Sequence, residues 1–140
     1  MSEHRIPQLG EVGENFFSHA NSPQNVGKLA VPDGTGKAVG QCGDSISVDL
    51  QVEGDVIKDI KVDPQGCLFT KACASAVSEL VKGRKLTAAL QVEPEDVERL
   101  LGGLPEDHMH CARLAVNTLG EAVSDVLGRQ VKDAAKGGIS

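Results

Sequence analysis

The feature that most constrains this chain is a change of hydrophobic period near its middle. From Ile46 the apolar residues alternate strictly (Ile46, Val48, Leu50, Val52), with Ser47, Asp49 and Gln51 between them, which is the period-2 signature of a half-buried strand. Gly54-Asp55 then offers a two-residue turn, and Val56 to Val62 supplies a returning strand with Lys58, Asp59 and Lys61 as its polar members. Such a pair is an antiparallel hairpin. After Pro64-Gln65-Gly66 the spacing becomes three or four: Ala72, Cys73, Ala76, Val77, Leu80 and Val81 form the stripe of a helix. Thr70 is its expected N-cap and Gly83 its C-terminal stop.

Two further helices follow. Pro94 opens one through Leu101, with Val97, Leu100 and Leu101 on one face before Gly102-Gly103 breaks it. Asp107 is the expected cap of a long last helix with its stripe at Ala112, Ala115, Val116, Leu119, Ala122, Val123 and Val126. Ahead of the hairpin, a short helix over Val12 to His19 should bury Val12, Phe16 and Phe17, with Asn21-Ser22-Pro23 ending it. The stretch from Lys28 to Gly43 is dense in turn formers (Pro32-Asp33-Gly34-Thr35-Gly36, Gly40, Gly43) and reads as loop around at most a short strand. Residues 1–10 lack any periodic pattern and are expected to be mobile, and the tail over 137–140 is expected to fray. Residues 11–136 then form a single domain. Its fold class is α+β, a small antiparallel sheet with helices packed on one face.

Composition narrows the function. Only 2% of the 140 residues are aromatic, so the core must be built from Val, Leu, Ile and Ala. A formal charge of −6 and the lack of an aromatic stacking platform argue against a nucleic-acid partner. No apolar run approaches the roughly 20 residues of a membrane span, and MSEHRIPQLG lacks the apolar segment of a signal peptide. The expected setting is cytoplasmic, where thiols stay reduced. The four cysteines are therefore candidate metal ligands, reactive thiols or small buried hydrophobes before they are disulfides.

Three of them fall at ends of elements. Cys42 follows a glycine-rich loop, Cys67 lies between the second strand and a helix, and Cys111 sits in the first turn of the last helix. A helix N-terminus favours the thiolate, the form that binds metals or attacks sulfur. Cys73 instead shares helical spacing with Val77 and Val81 and reads as a buried small hydrophobe. Two histidines and a cysteine within His108-Met109-His110-Cys111 add a metal signal. The gaps, 24 residues from Cys42 to Cys67 and 43 from Cys67 to Cys111, match no local Cys-x-x-Cys motif. Such dispersed ligands meet only after folding, at a rim of the domain held by loops and helix starts.

Four pieces, in this order, resemble the iron-sulfur cluster assembly scaffolds of the IscU type, including the N-terminal domain of NifU proteins. They are His19-Ala20-Asn21-Ser22-Pro23-Gln24-Asn25-Val26-Gly27, then Cys42-Gly43-Asp44, then Gly66-Cys67, then Met109-His110-Cys111. The likeness runs from about Phe16 to Val126. It implies that Cys42, Cys67 and Cys111 are thiolate ligands, with Asp44 and His110 as the non-thiolate positions. Bulky Leu68-Phe69-Thr70-Lys71 stand where the family has small residues, Cys73 stands at a family Ser, and the chain has no Tyr. Leu104-Pro105-Glu106-Asp107-His108 replaces the chaperone-recognition segment of the IscU branch and is closer to the NifU branch.

The function so implied is non-catalytic. A cysteine desulfurase delivers sulfur, iron joins, a transient 2Fe-2S cluster forms, and acceptor apoproteins receive it. A 2Fe-2S cluster takes four protein ligands, and three thiolates with one weaker oxygen or nitrogen ligand suit a site that must release its cargo. A homodimer around the cluster is compatible with this reading. The alternative is a zinc-bound sulfur-acceptor transferase of the SufU type on the same residues, although that branch carries an insertion for which the gap between Cys67 and Cys111 leaves little room. A structural zinc module without sulfur chemistry would need neither a mobile Cys42 loop nor a carboxylate at Asp44.

Overall fold

The computed structural model describes residues 14–41 and 43–137. The expectations for residues 1–10, Val12, Cys42 and the end of the tail lie outside the described residues. The elements run α1 (Glu14–Asn21), β1 (Gly34–Val39), β2 (Ser45–Glu53), β3 (Val56–Gln65), α2 (Leu68–Val81), α3 (Leu86–Ala89), α4 (Pro94–Leu101) and α5 (Met109–Gly137), with a 3-10 turn over Glu106–His108 ahead of α5. Three antiparallel strands in the order β1-β2-β3 make the sheet, and the helices pack against it in an α+β arrangement. Among the described residues no helix is long and apolar enough to cross a membrane.

The period-2 segment forms the hairpin that it predicts. Ile46, Val48 and Leu50 are buried on β2, Ile57, Ile60 and Val62 on β3, and Gly54 takes the positive φ of 66° that the two-residue turn between Glu53 and Val56 requires. β3 outruns its expected end at Val62 and continues to Gln65, with Pro64 opposite Ile46. A proline is tolerated there because β3 lies at the sheet edge, so its missing N–H deprives no neighbouring strand. A segment ahead of β1 covers part of that edge: the Gly27 N–H donates to Val62 O (2.9 Å) and the Val62 N–H to Asn25 O (2.8 Å).

β1 departs most from expectation. The glycines of Gly34-Thr35-Gly36 do not make a loop. They lie in a six-residue strand paired with β2, and both are buried. A Cβ on Gly36 would meet Thr118 O at 2.6 Å and one on Gly34 would meet Val126 Cγ2 at 2.4 Å. The glycines are there because α5 runs directly over the strand.

α2 is also more enclosed than an amphipathic stripe implies. Every residue from Ala72 to Ser78 is buried, because α1, α4, α5 and β3 all pack on it. Its buried serines are bonded. The Gln24 N–H donates to Ser75 Oγ (2.7 Å), Asn25 Nδ2 donates to Ser78 Oγ (2.9 Å), and His19 Nδ1 lies 2.6 Å from Ser75 Oγ. On its other side the His19 ring places Nε2 3.2 Å from Glu79 Oε1. The His19–Gly27 segment is thus a strap between α2 and β3.

Smaller corrections concern helix ends. The first described helix runs Glu14–Asn21 rather than ending at His19, with Phe16 buried and Phe17 partly so. Residues 86–89 form the short α3, which no periodic signal marked. α4 keeps its expected bounds, with a capping box between Glu93 and Asp96 and Gly102 left-handed at φ 81°. Asp107 does not cap α5 but lies within the 3-10 turn, and α5 continues through Gly137, one residue into the expected frayed tail.

Candidate metal centre

The starts of α2 and α5 meet at one rim of the sheet, and the donor groups collect there. Thr70 is not the N-cap of α2. The helix begins at Leu68, and the N-cap is Cys67 itself, with no side-chain cap bond. The reason lies in β3, which delivers the chain to Gly66 already beside the sheet, so the first turn closes around the sulfur. The N–H groups of Phe69 and Thr70 point at it and favour the thiolate.

Thr70 becomes the hub of the site from inside that first turn. It is fully buried, and its hydroxyl donates to Asp44 Oδ2. Its oxygen also lies 3.6 Å from Cys67 Sγ and 3.7 Å from Cys111 Sγ. Asp44, at the entrance to β2, reaches Cys67 Sγ at 3.6 Å. Gly66 makes this seat possible, since a Cβ there would fall 2.5 Å from the Asp44 carboxylate carbon.

The two thiols do not titrate alike. Cys67 is lowered to about 5, chiefly because Cys111 donates a hydrogen bond to its thiolate, with Thr70 and two backbone N–H groups adding to this against the cost of burial. Cys111 moves the other way. Its proton is held by Cys67 and burial disfavours its charge, so its pKa is raised. The sequence expectation that both helix starts favour thiolate holds only for Cys67, because a close pair of sulfurs keeps one proton between them. Cys73, fully buried on α2, is raised by desolvation, as its stripe position implies.

A third donor completes the cluster. One nitrogen of His108 and the sulfurs of Cys67 and Cys111 all lie within 4.8 Å of one another. His108 stacks on Phe69, with ring centroids 3.7 Å apart and planes 11° apart, and Phe69 in turn lies 5.1 Å from Phe16. The His110 ring is 5.8 Å from that of His108. Of the sequence-derived site, Asp44, Cys67 and Cys111 are brought together, His110 stands beside them, and Cys42 is outside the described residues. His108 belonged to the metal-signalling cluster His108-Met109-His110-Cys111 but was not among the ligands that the resemblance implied. A signal for it existed, because His108 and Cys111 are three residues apart and share a helical face, whereas His110 and Cys111 are adjacent and diverge. Two sulfurs and an imidazole form a donor set for zinc, ferrous iron or an iron-sulfur cluster.

A groove of about 400 Å³ lined by Leu80, Arg84, Val92, Asp96, Arg99 and Leu100 contains none of these donors.

Comparison with known proteins points the same way. Residues 12–133 match the family described as NifU-like N terminal domain. Over 121 residues the chain is 36% identical to "Iron-sulfur cluster assembly scaffold protein IscU 1" of Archaeoglobus fulgidus, covering 85% of this chain and 78% of that protein. It is 36% identical over 131 residues to "Iron-sulfur cluster assembly scaffold protein IscU" of Aquifex aeolicus, covering 90% and 83%. In fold it is similar to the crystal structure of a NifU-like protein (N-terminal) from Brucella abortus, with TM-score 0.65 at 18% identity over 84% of this chain and 94% of that one.

Proposed function

We propose a scaffold function for this chain, which belongs to the NifU-like N-terminal domain family: a 2Fe-2S cluster is assembled at its rim and passed on. The observation that carries the reading is the convergence of Cys67, Cys111 and an imidazole within 4.8 Å at two helix starts, with the Asp44 carboxylate 3.6 Å from Cys67. In this reading residues 11–136 act as one scaffold domain in the cytoplasm. Cys42, Cys67 and Cys111 supply thiolates, the His108–His110 pair supplies the nitrogen ligand, and Asp44 keeps the site labile.

Each side chain has a task that follows from its surroundings. Cys67, exposed and favoured as thiolate, is the nucleophile to which a cysteine desulfurase hands its persulfide sulfur. Cys111, buried and protonated, gives up its proton when metal displaces it. The Thr70 hydroxyl steadies Asp44 and both sulfurs. Leu68, exposed beside Cys67, offers apolar footing to the desulfurase or to an acceptor apoprotein. The likeness to relatives named as assembly scaffold proteins supports a scaffold over an enzyme. Zinc is the second reading of the same donors, because two sulfurs and a nitrogen with an open fourth place suit that ion equally.

The test is anaerobic reconstitution with ferrous iron, cysteine, a desulfurase and an excess of a thiol reductant, which supplies the electrons that take the persulfide sulfur to sulfide. About two irons and two acid-labile sulfides per site, removable by chelators, are expected. Iron bound singly with no labile sulfide would sink the cluster reading, and zinc retained against iron and sulfide would favour the alternative.

A further inference from the structure

We propose that the groove between the end of α2, α3 and α4 is a docking site for an acidic segment of a partner protein, whose apolar side chain enters the groove while its carboxylates meet Arg84 and Lys85. The inference goes beyond the scaffold reading and does not depend on it, because the groove holds none of the donors of the rim.

The floor is apolar. Leu80 of α2, Val92 after α3 and Leu100 of α4 each pack on the core yet stay partly exposed, and all three line one groove of about 400 Å³. A second depression of about 480 Å³ shares Arg84 with it and runs on to Lys85, so the surface is a channel along α3. An apolar floor between polar walls is the form taken by grooves that receive one face of a peptide segment.

The walls say which segment fits. The chain carries a formal charge of −6, yet Arg84, Lys85 and Arg99 border this channel against the single carboxylate of Asp96. That carboxylate is already committed, since Arg99 Nη1 donates to its Oδ1 at 2.8 Å and the Glu93 N–H to its Oδ2 at 2.9 Å. Arg84 and Lys85 are exposed and enter no salt bridge among the described residues. Two unpaired cations beside an apolar floor complement a segment that carries both carboxylates and an apolar side chain. A single-stranded nucleic acid would need aromatic rings to stack on, and none lines the channel.

The cations are also held in place. Gly83, at φ 85°, turns the chain out of α2, and the Gly83 N–H donates to Ile57 O while the Ile57 N–H donates to Arg84 O, both at 2.8 Å. The backbone that carries Arg84 is thus fixed to the start of β3 before a partner arrives, which lowers the ordering cost of binding. Leu80 lies near the end of α2 and Cys67 caps its start, a separation of about 20 Å at the rise of an α-helix. A partner held here leaves the rim open.

The experiment follows amide NMR spectra of the isotope-labelled full chain during titration with a short synthetic peptide of glutamates carrying two leucines one helical turn apart. Two analogues replace its glutamates by glutamine or its leucines by serine. The first peptide should give saturable shifts with a dissociation constant below about 1 mM, centred on Leu80, Arg84, Val92 and Leu100, and should bind several-fold more weakly when salt rises from about 0.05 to 0.5 M. Both analogues should bind about tenfold more weakly or worse. Arg84→Glu combined with Lys85→Glu, two exposed changes, should lower affinity about tenfold or more with an unchanged melting temperature. Equal binding of the glutamine analogue, unchanged affinity in the double variant, shifts centred on the rim, or no saturable shift each overturn the proposal. So does Arg84-dependent binding that is tighter to vesicles of anionic phospholipid, or concentration-dependent self-association in sedimentation that the double variant abolishes. None of these outcomes bears on the labile sulfide of reconstituted wild type, which decides the scaffold reading.

Discussion

The rim and the interior of this domain use the same residue types for opposite ends. Cys67 at the start of α2 is exposed, ringed by donors and favoured as thiolate, whereas Cys73, further along the same helix, is fully buried and held as thiol. Glycines show the same contrast. Gly66 makes room for a carboxylate at the end of a flexible side chain, and Gly36 makes room for the backbone of α5. Chemistry at the rim depends on what the chain leaves open, and stability in the interior depends on what it closes.

The largest expected effect tests the rim. Cys67→Ser or Cys111→Ser should abolish most iron and sulfide uptake in the reconstitution assay while the far-ultraviolet circular dichroism stays native. Uptake unchanged in either variant would remove that sulfur from the site. The interior counterpart is Gly36→Ala, whose Cβ would press on the α5 backbone at Thr118 and Ala122 and on Glu121 Cβ, none of which can swing aside. A loss of about 3 kcal/mol, read from the denaturant midpoint, is expected, whereas Gly66→Ala should cost far less because the Asp44 side chain can swing aside.

Cys73→Ser sharpens the contrast between thiols. Burying a hydroxyl where a sulfur packed should lower stability by about 2 kcal/mol and leave cluster uptake largely intact, and loss of the cluster with normal stability would make Cys73 a ligand. Reactivity is the next step down. Because Cys67 is lowered to about 5, it is thiolate above that pH and thiol below it. Iodoacetamide should modify it at a rate nearly flat from pH 6 to 8 and halved near pH 5, where an ordinary thiol rises about tenfold per unit. Peptide mapping should find Cys73 and Cys111 unmodified in the folded, metal-free protein, and a Cys67 rate that keeps climbing to pH 9 would contradict the lowered value.

The smallest effect concerns Asp44→Ala. Thr70 loses its acceptor, which should cost about 1 kcal/mol, and cluster loss to an acceptor apoprotein should slow, because a hard oxygen and a nearby anion both favour release. Transfer as fast as wild type by circular dichroism would take Asp44 out of the release step.

The β2–β3 hairpin, α2, α4 and α5 are legible in the residues alone, because strict alternation and three-to-four spacing are local consequences of burying one face of an element. The same patterns mark Cys73 as interior and Cys67 and Cys111 as element ends. The rest follows from packing between elements, and in each case the partner that settles it is distant in the chain. Gly34 and Gly36 carry turn chemistry in isolation, and only the passage of α5 makes them a strand. Thr70 has the side chain of an N-cap, but the direction in which β3 delivers Gly66 moves the cap to Cys67 and turns Thr70 toward Asp44. Cys111 has a helix start that should favour its thiolate, and the sulfur of Cys67, brought from across the fold, reverses that by holding the proton between them. Of two histidines in one four-residue cluster, His108 is the one that stacks on Phe69 and lies near both sulfurs. Periodicity fixes which face of an element turns inward. What meets that face is fixed by packing between elements, whose partners no local pattern records.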